Sequence, residues 1–408
     1  MSLANTRHGY GSVAKTFHWL VALMILALIP LGIVANALPA DTSAQIAAKA
    51  RLFTVHKTVG VALFFLALAR ILWAVTQPRP AALHPERRAE VAAATAAHWI
   101  LYASLILVPL SGWAHHAATT GFAPIWWPFG QSLPFVPQDP RLAEVFAGLH
   151  IVFERVLAAT ILLHVAAALK HHWWDGDDTL RRMLPGRTAT ANVPPAAPLP
   201  RWTGPAAALG VFGLAVAVGA GLGLYGKPTT AAAVELAAAP SEWQVRDGEI
   251  AITIRQLGSE VTGRFADWTA AIDFSETAQD GRHGTAEVTI AIPSLTLGSV
   301  TDQAMGESYF HAEAFPRATF RGDLLPAEGT DTYRADGTLT LRGAEVPVSF
   351  PFTLALDGAT AEARFTLTLD RRDFAIGESQ DDPGTLAFEV GVTGQLTATR
   401  AEAAPTES

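Results

Sequence analysis

Hydrophobicity along this chain changes its period once. Before about residue 225 it comes in long blocks, and from Trp243 onward it alternates residue by residue. The blocks are Phe17–Ala37, Val55–Val75, Ala92–Ala114, Phe146–Leu169 and Ala206–Leu224. Each is long enough to cross a bilayer as a helix, which takes about 20 mainly apolar residues. Phe17–Ala37 is too long for the apolar stretch of a cleaved leader and lacks a convincing cleavage site, so it is expected to stay as the first span. Pro30 and Pro109 fall inside blocks, where a bundle can re-bond the freed backbone locally.

The second half carries a period of two. Ile250-Ala251-Ile252-Thr253-Ile254, Ala286-Glu287-Val288-Thr289-Ile290 and Thr338-Leu339-Thr340-Leu341 alternate, as do Phe352–Leu356 and Phe365–Leu369. Short alternating strands broken by Gly, Asp and Pro predict an antiparallel barrel or sandwich. Thr188–Pro200 (TATANVPPAAPLP) reads as a Pro/Ala linker. The expected organisation is therefore a transmembrane domain over 1–187, a linker over 188–204, a fifth helix over 205–225 and a barrel over 240–400. The fold class is a multidomain membrane protein. An all-α four-helix bundle with a fifth, tethering span precedes an all-β antiparallel barrel.

Charge separates the same two parts. Residues 1–225 carry a net +7 and residues 226–408 a net −15, and neither part reads as a nucleic-acid binder. Counting Lys and Arg in the loops puts ten on the side of the N-terminus and three on the other. The positive-inside rule then places the N-terminus in the cytoplasm, and five crossings place the barrel in the periplasm of a bacterial inner membrane.

There is no cysteine, so a thiolate metal site and a thioether-attached haem are both excluded. Any haem must then be non-covalent and ligated by His or Met. His150 and His164 lie fourteen residues apart in the fourth block. That is close to four helical turns, so both point to one face, about 21 Å apart along the axis. His18 starts the first block at the depth of His164, and His56 starts the second at the depth of His150. Ionisable groups inside a span are costly and mark function. Two depth-matched pairs suit two b haems, one near each surface. Non-haem metal binding and buried polar contacts are the alternatives. Arg70 shares the His56 face at the other depth and suits a haem propionate, with headgroup snorkelling as the rival role. Arg51 and Lys57 could act likewise on the periplasmic side. His98 reads as a helix-end polar residue, and His115 and His116 as solvated loop residues.

The segments VAKTFHWLVALMILALIPLG, VHKTVGVALFFLALARILW and LHIVFERVLAATILLHVAAALKHHWWDGDDTLRRMLPG resemble the prokaryotic cytochrome b561 family over about residues 8–187. The resemblance implies two b haems on His18, His56, His150 and His164, and electron exchange with ubiquinone or a similar quinone. It also implies that superoxide can serve as donor. It favours His171, in the cluster Lys170-His171-His172-Trp173-Trp174, as a hydrogen-bond partner of a quinone carbonyl. An interfacial belt is the alternative role for that cluster.

The segments VTGRFADWTAAIDF, VTIAIPSLTLGSVTDQAMGESYFHAEAFPRATF, DGTLTLRGAEVPVSFPFTL and LDRRDFAIG resemble the YceI-like, lipocalin-like proteins over Trp243–Leu396. That resemblance implies a polyisoprenoid ligand. Where the family usually has Arg-Asp this chain has Thr301-Asp302, and Ala304 replaces an often polar residue, so a shared polar head-group site is in doubt. Phe265, Trp268, Phe310, Phe315 and Phe320 are the aromatic candidates for an isoprenoid tunnel, plain core being the other role of each.

The expected protein is a diheme membrane cytochrome carrying electrons between a periplasmic redox partner and membrane quinone. As an enzyme it would be a superoxide:quinone oxidoreductase. The rivals are a cytochrome b subunit serving a separate redox enzyme and a lipid-carrier or sensor barrel on a haem anchor. A homodimer is compatible with the sequence.

Overall fold

The computed structural model describes residues 2–119, 123–126, 128, 131–186, 199–226, 236, 241–329 and 331–400. Most of the expected linker lies outside the described residues. The chain divides into a helical unit and a unit built on a barrel.

Among the described residues, five helices are long and apolar enough to cross a membrane: α1 (Ser12–Ala37), α2 (Ser43–Thr76), α3 (Arg88–Ala118), α4 (Pro140–Trp173) and α5 (Thr203–Gly221). The protein is a multi-pass membrane protein. α2, α3 and α4 extend beyond their apolar blocks at both ends, because length is set by hydrogen bonding and capping as well as by hydrophobicity. α4 starts early, where Asp139 accepts from Leu142 N at 2.8 Å and Pro140 takes the first position. α3 continues past its apolar block to Ala118, so His115 and His116 lie in its last turn rather than in a loop.

The middle of the bundle is apolar. Val21, Ile25 and Leu28 of α1 meet Leu63 and Ala67 of α2, Leu105 of α3 and Leu157 of α4. On α4, which carries both His150 and His164, Leu157 of this layer lies between them. At the α1 start, the segment after α4 folds back over the bundle. Lys15 Nζ donates to the Leu184 carbonyl at 2.8 Å and Trp19 Nε1 to that of Met183 at 2.8 Å. Arg182, itself buried, donates to the carbonyls of Ala81 and His8, both at 2.9 Å.

α5 does more than tether. Its Ala208 and Phe212 pack with Ile100 of α3 and with Val152 and Phe153 of α4. Close approach depends on glycine: a Cβ on Gly204 would lie 2.0 Å from Trp99 Cδ1, and one on Gly219 2.3 Å from Tyr225 Oη. Small residues let helix backbones meet in lipid, where no hydrophobic drive holds helices together.

The second unit is an antiparallel eight-stranded barrel. β1 (Trp243–Gln256) pairs with β10 (Glu389–Arg400), and the ring runs on through β9 (Thr360–Asp370), β8 (Ala344–Asp357), β7 (Thr332–Leu341) and β6 (Arg317–Pro326). It then passes β4 (Arg282–Ala291) and β3 (Trp268–Gln279) and returns to β1 at Trp243↔Ile272. β2 (Ser259–Phe265) and β5 (Leu295–Thr296) extend the sheet beside β1, and a short helix α6 (Thr301–Met305) follows. The hairpins Leu257-Gly258, Asp280-Gly281 and Arg342-Gly343 have positive φ at both central residues. That is the two-residue turn whose twist matches the flanking strands. All five alternating runs of the sequence fall within strands β1, β4, β7, β8 and β9.

Candidate functional site

The helices bring the four span histidines together in two pairs. The rings of His18 (α1) and His164 (α4) have centroids 6.3 Å apart, and those of His56 (α2) and His150 (α4) 6.4 Å apart. Two metal–nitrogen bonds of about 2.0 Å, with about 1.2 Å from each nitrogen to its ring centre, span about 6.4 Å. Both pairs thus stand at the separation of two imidazoles on one metal.

Glycine seats the second pair. A Cβ on Gly32 of α1 would lie 2.9 Å from His56 Cε1, and one on Gly112 of α3 2.9 Å from His150 Cε1. Gly60, one turn past His56, would place a Cβ in open space, leaving room for a flat ring. His150 Nδ1 donates to the Val108 carbonyl at 2.8 Å, which fixes the ring and leaves Nε2 as the ligand atom. These cradles fit haem held between imidazoles.

The first pair has a polar surround. Arg70 Nη2 lies 3.5 Å from His18 Nδ1, and its guanidinium stands over the Tyr102 ring at 5.5 Å. His98 is closer to the pair than its helix-end position suggests, with its ring 5.3 Å from that of His164. Near the other pair, Lys57 Nζ lies 3.3 Å from His116 Nδ1, and His116 bonds Gln131 at 2.8 Å. His115 bonds the Ala143 carbonyl at 2.9 Å, so both histidines expected to be solvated are engaged, and His116 is buried. Sequence reasoning passes over Glu154, one turn past His150, whose Oε1 is buried and has no hydrogen-bond partner among the described residues. Its signal was an ionisable residue inside a span.

His171 sits beyond the first pair in a charged cluster. Its Nδ1 is 2.8 Å from Asp177 Oδ2 and 3.0 Å from Asp175 Oδ2. Asp177 also faces His84 Nε2 at 3.2 Å. Burial opposes ionisation of Asp177, yet hydrogen bonds from Thr179 and His171 hold its carboxyl below the usual carboxylate range. Lys170, bonded to Asp175, lowers the pKa of that carboxyl too. Glu90, His171 and Asp175 form a potential metal-ligand triad, but Lys170 and Arg87 already pair with its carboxylates.

The barrel encloses an apolar cavity of about 260 Å³. Phe265, Phe310 and Phe320 line it. Trp268 and Phe315 do not. The Trp268 ring lies over Gly248, within 2.8 Å of where a Cβ would be, and packs against the buried core of the barrel. Phe315 precedes β6 and packs edge-on to His311, at 5.7 Å, and against Gly343. The sequence reading also missed four polar lining residues, Gln256, Gln303, Tyr309 and Arg371. The strand parity that turns Ile250, Ile252 and Ile254 inward turns Gln256 inward as well.

Membrane-length helices presenting facing histidines, followed by a closed barrel with an apolar interior, define a membrane cytochrome fused to a lipocalin-like module. A family model for prokaryotic cytochrome b561 matches residues 9–186, and one for the YceI-like domain matches 242–398. Cytochrome b561 homolog 2 of Escherichia coli (strain K12) is 32% identical over 189 residues, covering 45% of this chain and 95% of that protein. Probable superoxide oxidase CybB of Yersinia pestis is 27% identical over 177 residues, 43% of this chain and 96% of that one. Among solved structures, Burkholderia cenocepacia BcnA matches at 30% identity and TM-score 0.35, over 37% of this chain and 96% of that chain. Campylobacter jejuni YceI matches at 19% identity and TM-score 0.31, over 43% and 99%. The chain belongs to the prokaryotic cytochrome b561 family through its helical part and carries a YceI-like domain after it. Haem b binding follows from membership of the cytochrome b561 family.

Proposed function

We propose that this protein is a diheme b-type membrane cytochrome that moves electrons between a periplasmic one-electron donor and membrane quinone. The observation that carries the reading is the pair of ring separations, 6.3 and 6.4 Å, each matching two imidazoles on one iron. His18 with His164, and His56 with His150, would hold one haem each. Haem supplies one-electron redox chemistry when bound. The apolar layer of Val21, Leu63, Leu105 and Leu157 excludes water between the two levels. Arg70 is placed to offset a propionate at the His18 level. His171 would hydrogen-bond a quinone oxygen through Nε2, because Asp177 holds Nδ1. Superoxide is the donor favoured by the similarity to a probable superoxide oxidase.

The ten-to-three distribution of loop Lys and Arg supports a cytoplasmic N-terminus and a periplasmic barrel, with the His56/His150 level on the barrel's side of the membrane. A polyisoprenoid would fill the barrel. At about 24 cal/mol per Å³ a hole of the size of its cavity costs a core about 6 kcal/mol, a strong drive for apolar occupancy. The fused chain would keep that lipid at high local concentration beside the helical domain.

The test is quinone reduction by purified full-length protein in detergent, with superoxide as donor. Quinol formation that stops on replacing His18 or His164 supports the reading. No turnover unless a second redox protein is added would make the chain a subunit of another enzyme.

A further inference from the structure

The barrel cavity is apolar except for Gln256, Gln303, Tyr309 and Arg371, and these four are not equivalent. Arg371 is buried, and its guanidinium is spent. It donates to the carbonyls of Ile376, Gly377, Gln380, Leu386 and Ala387. A guanidinium has five N–H donors, so none is left for a ligand. No carboxylate and no second cation lines the cavity among the described residues. Gln303 donates to the Tyr309 hydroxyl at 2.8 Å.

Gln256 differs from all of these. It ends β1, is 3% exposed, and its Oε1 has no hydrogen-bond partner among the described residues. It bridges to Leu386, one of the residues Arg371 holds, so it shares that end of the cavity. A buried amide left unbonded is costly, and nearly all such groups in folded proteins have a partner. A lone water would be poorly held, since it needs about two to four polar partners.

We propose that Gln256 binds the head of the barrel's lipid, and that this head is an uncharged hydroxyl, as in a prenol, a prenylated phenol or a quinol. The inference rests on the reading that the barrel holds an isoprenoid. A hydroxyl both donates and accepts, so it satisfies the amide in either orientation, whereas a carbonyl satisfies only one. A phosphate ester would be buried beside a guanidinium that has attraction to offer but no remaining N–H. Desolvating an anion without hydrogen bonds is far costlier than desolvating a hydroxyl.

The experiment measures equilibrium binding of three probes to full-length protein in detergent: geranylgeraniol, geranylgeranyl phosphate and a branched alkane of the same chain length. The unaltered protein should prefer the alcohol to the alkane and to the phosphate. Gln256→Leu should weaken the alcohol roughly tenfold to a hundredfold and leave the alkane unchanged, the loss expected for one buried hydrogen bond. The alkane thereby reports that the variant's barrel is intact, and the comparison of probes on the unaltered protein needs no variant. Tighter binding of the phosphate, or an alcohol affinity unmoved by Gln256→Leu, would overturn the head-group assignment while the isoprenoid reading stands. Failure of all three probes to bind would overturn both.

Discussion

Gly32 and His56 meet with no room for a side chain: a Cβ on Gly32 would stand 2.9 Å from His56 Cε1. The contact crosses from α1 to α2 and sets where the imidazole can lie. Gly32→Val should push the ring off its axis with His150. The expected result is loss of the haem at that level with the His18/His164 haem retained, read as one haem lost per chain. Gly60→Ala should be mild by comparison, because its Cβ meets nothing within 4 Å.

Asp177 holds His171 through a 2.8 Å contact to Nδ1. Asp177→Asn keeps the shape but removes the charge and the tautomer preference. Haem content should stay unchanged while reoxidation by quinone slows on the order of tenfold, short of the loss typical for deleting a general acid. Stopped-flow reoxidation of reduced protein measures it. Unaltered kinetics in both Asp177→Asn and His171→Ala would move the quinone site elsewhere.

Arg371 supports the barrel end with five donors and no carboxylate. Arg371→Met should destabilise the barrel by about 3 kcal/mol or more, because buried carbonyls lose their partners. Chemical denaturation followed by tryptophan fluorescence checks this.

The same end of the barrel should weaken in acid. Hydrogen bonds from Gly384 N and the Thr385 side chain hold the Asp382 carboxyl below its ordinary value of 3.8. A depressed carboxylate contributes stability above its unfolded pKa, and that contribution is lost as pH falls through the folded value. Unfolding midpoints should therefore drop below pH 3.8, and Asp382→Asn should flatten that drop. Parallel acid titrations of the two proteins give the comparison.

Much of this architecture was legible in the chain because two periods differ so sharply. A spacing of fourteen is nearly four helical turns, so His150 and His164 had to share a face, and the partner depths of His18 and His56 followed. The alternation at Ile250–Ile254 likewise settled a strand. Parity tells which face a residue takes, but not whether that face meets open space or a neighbour. Trp268 and Phe315 illustrate the difference: one covers Gly248 and the other packs on His311. The end of an apolar block also misplaced His115 and His116, because α3 continues as helix after its hydrophobicity stops. The packing of α5 was visible only as a surplus of glycine, whose partners Trp99 and Tyr225 are distant in sequence or turned back by a bend.

The most direct test of the central claim is haem stoichiometry, taken from the pyridine haemochrome spectrum and the protein concentration of the same sample. Two b haems per chain are expected. His164→Ala and His150→Ala should each retain one, with different spectra for the haem that remains. One haem per chain in the unaltered protein, or two in both variants, would contradict the pairing.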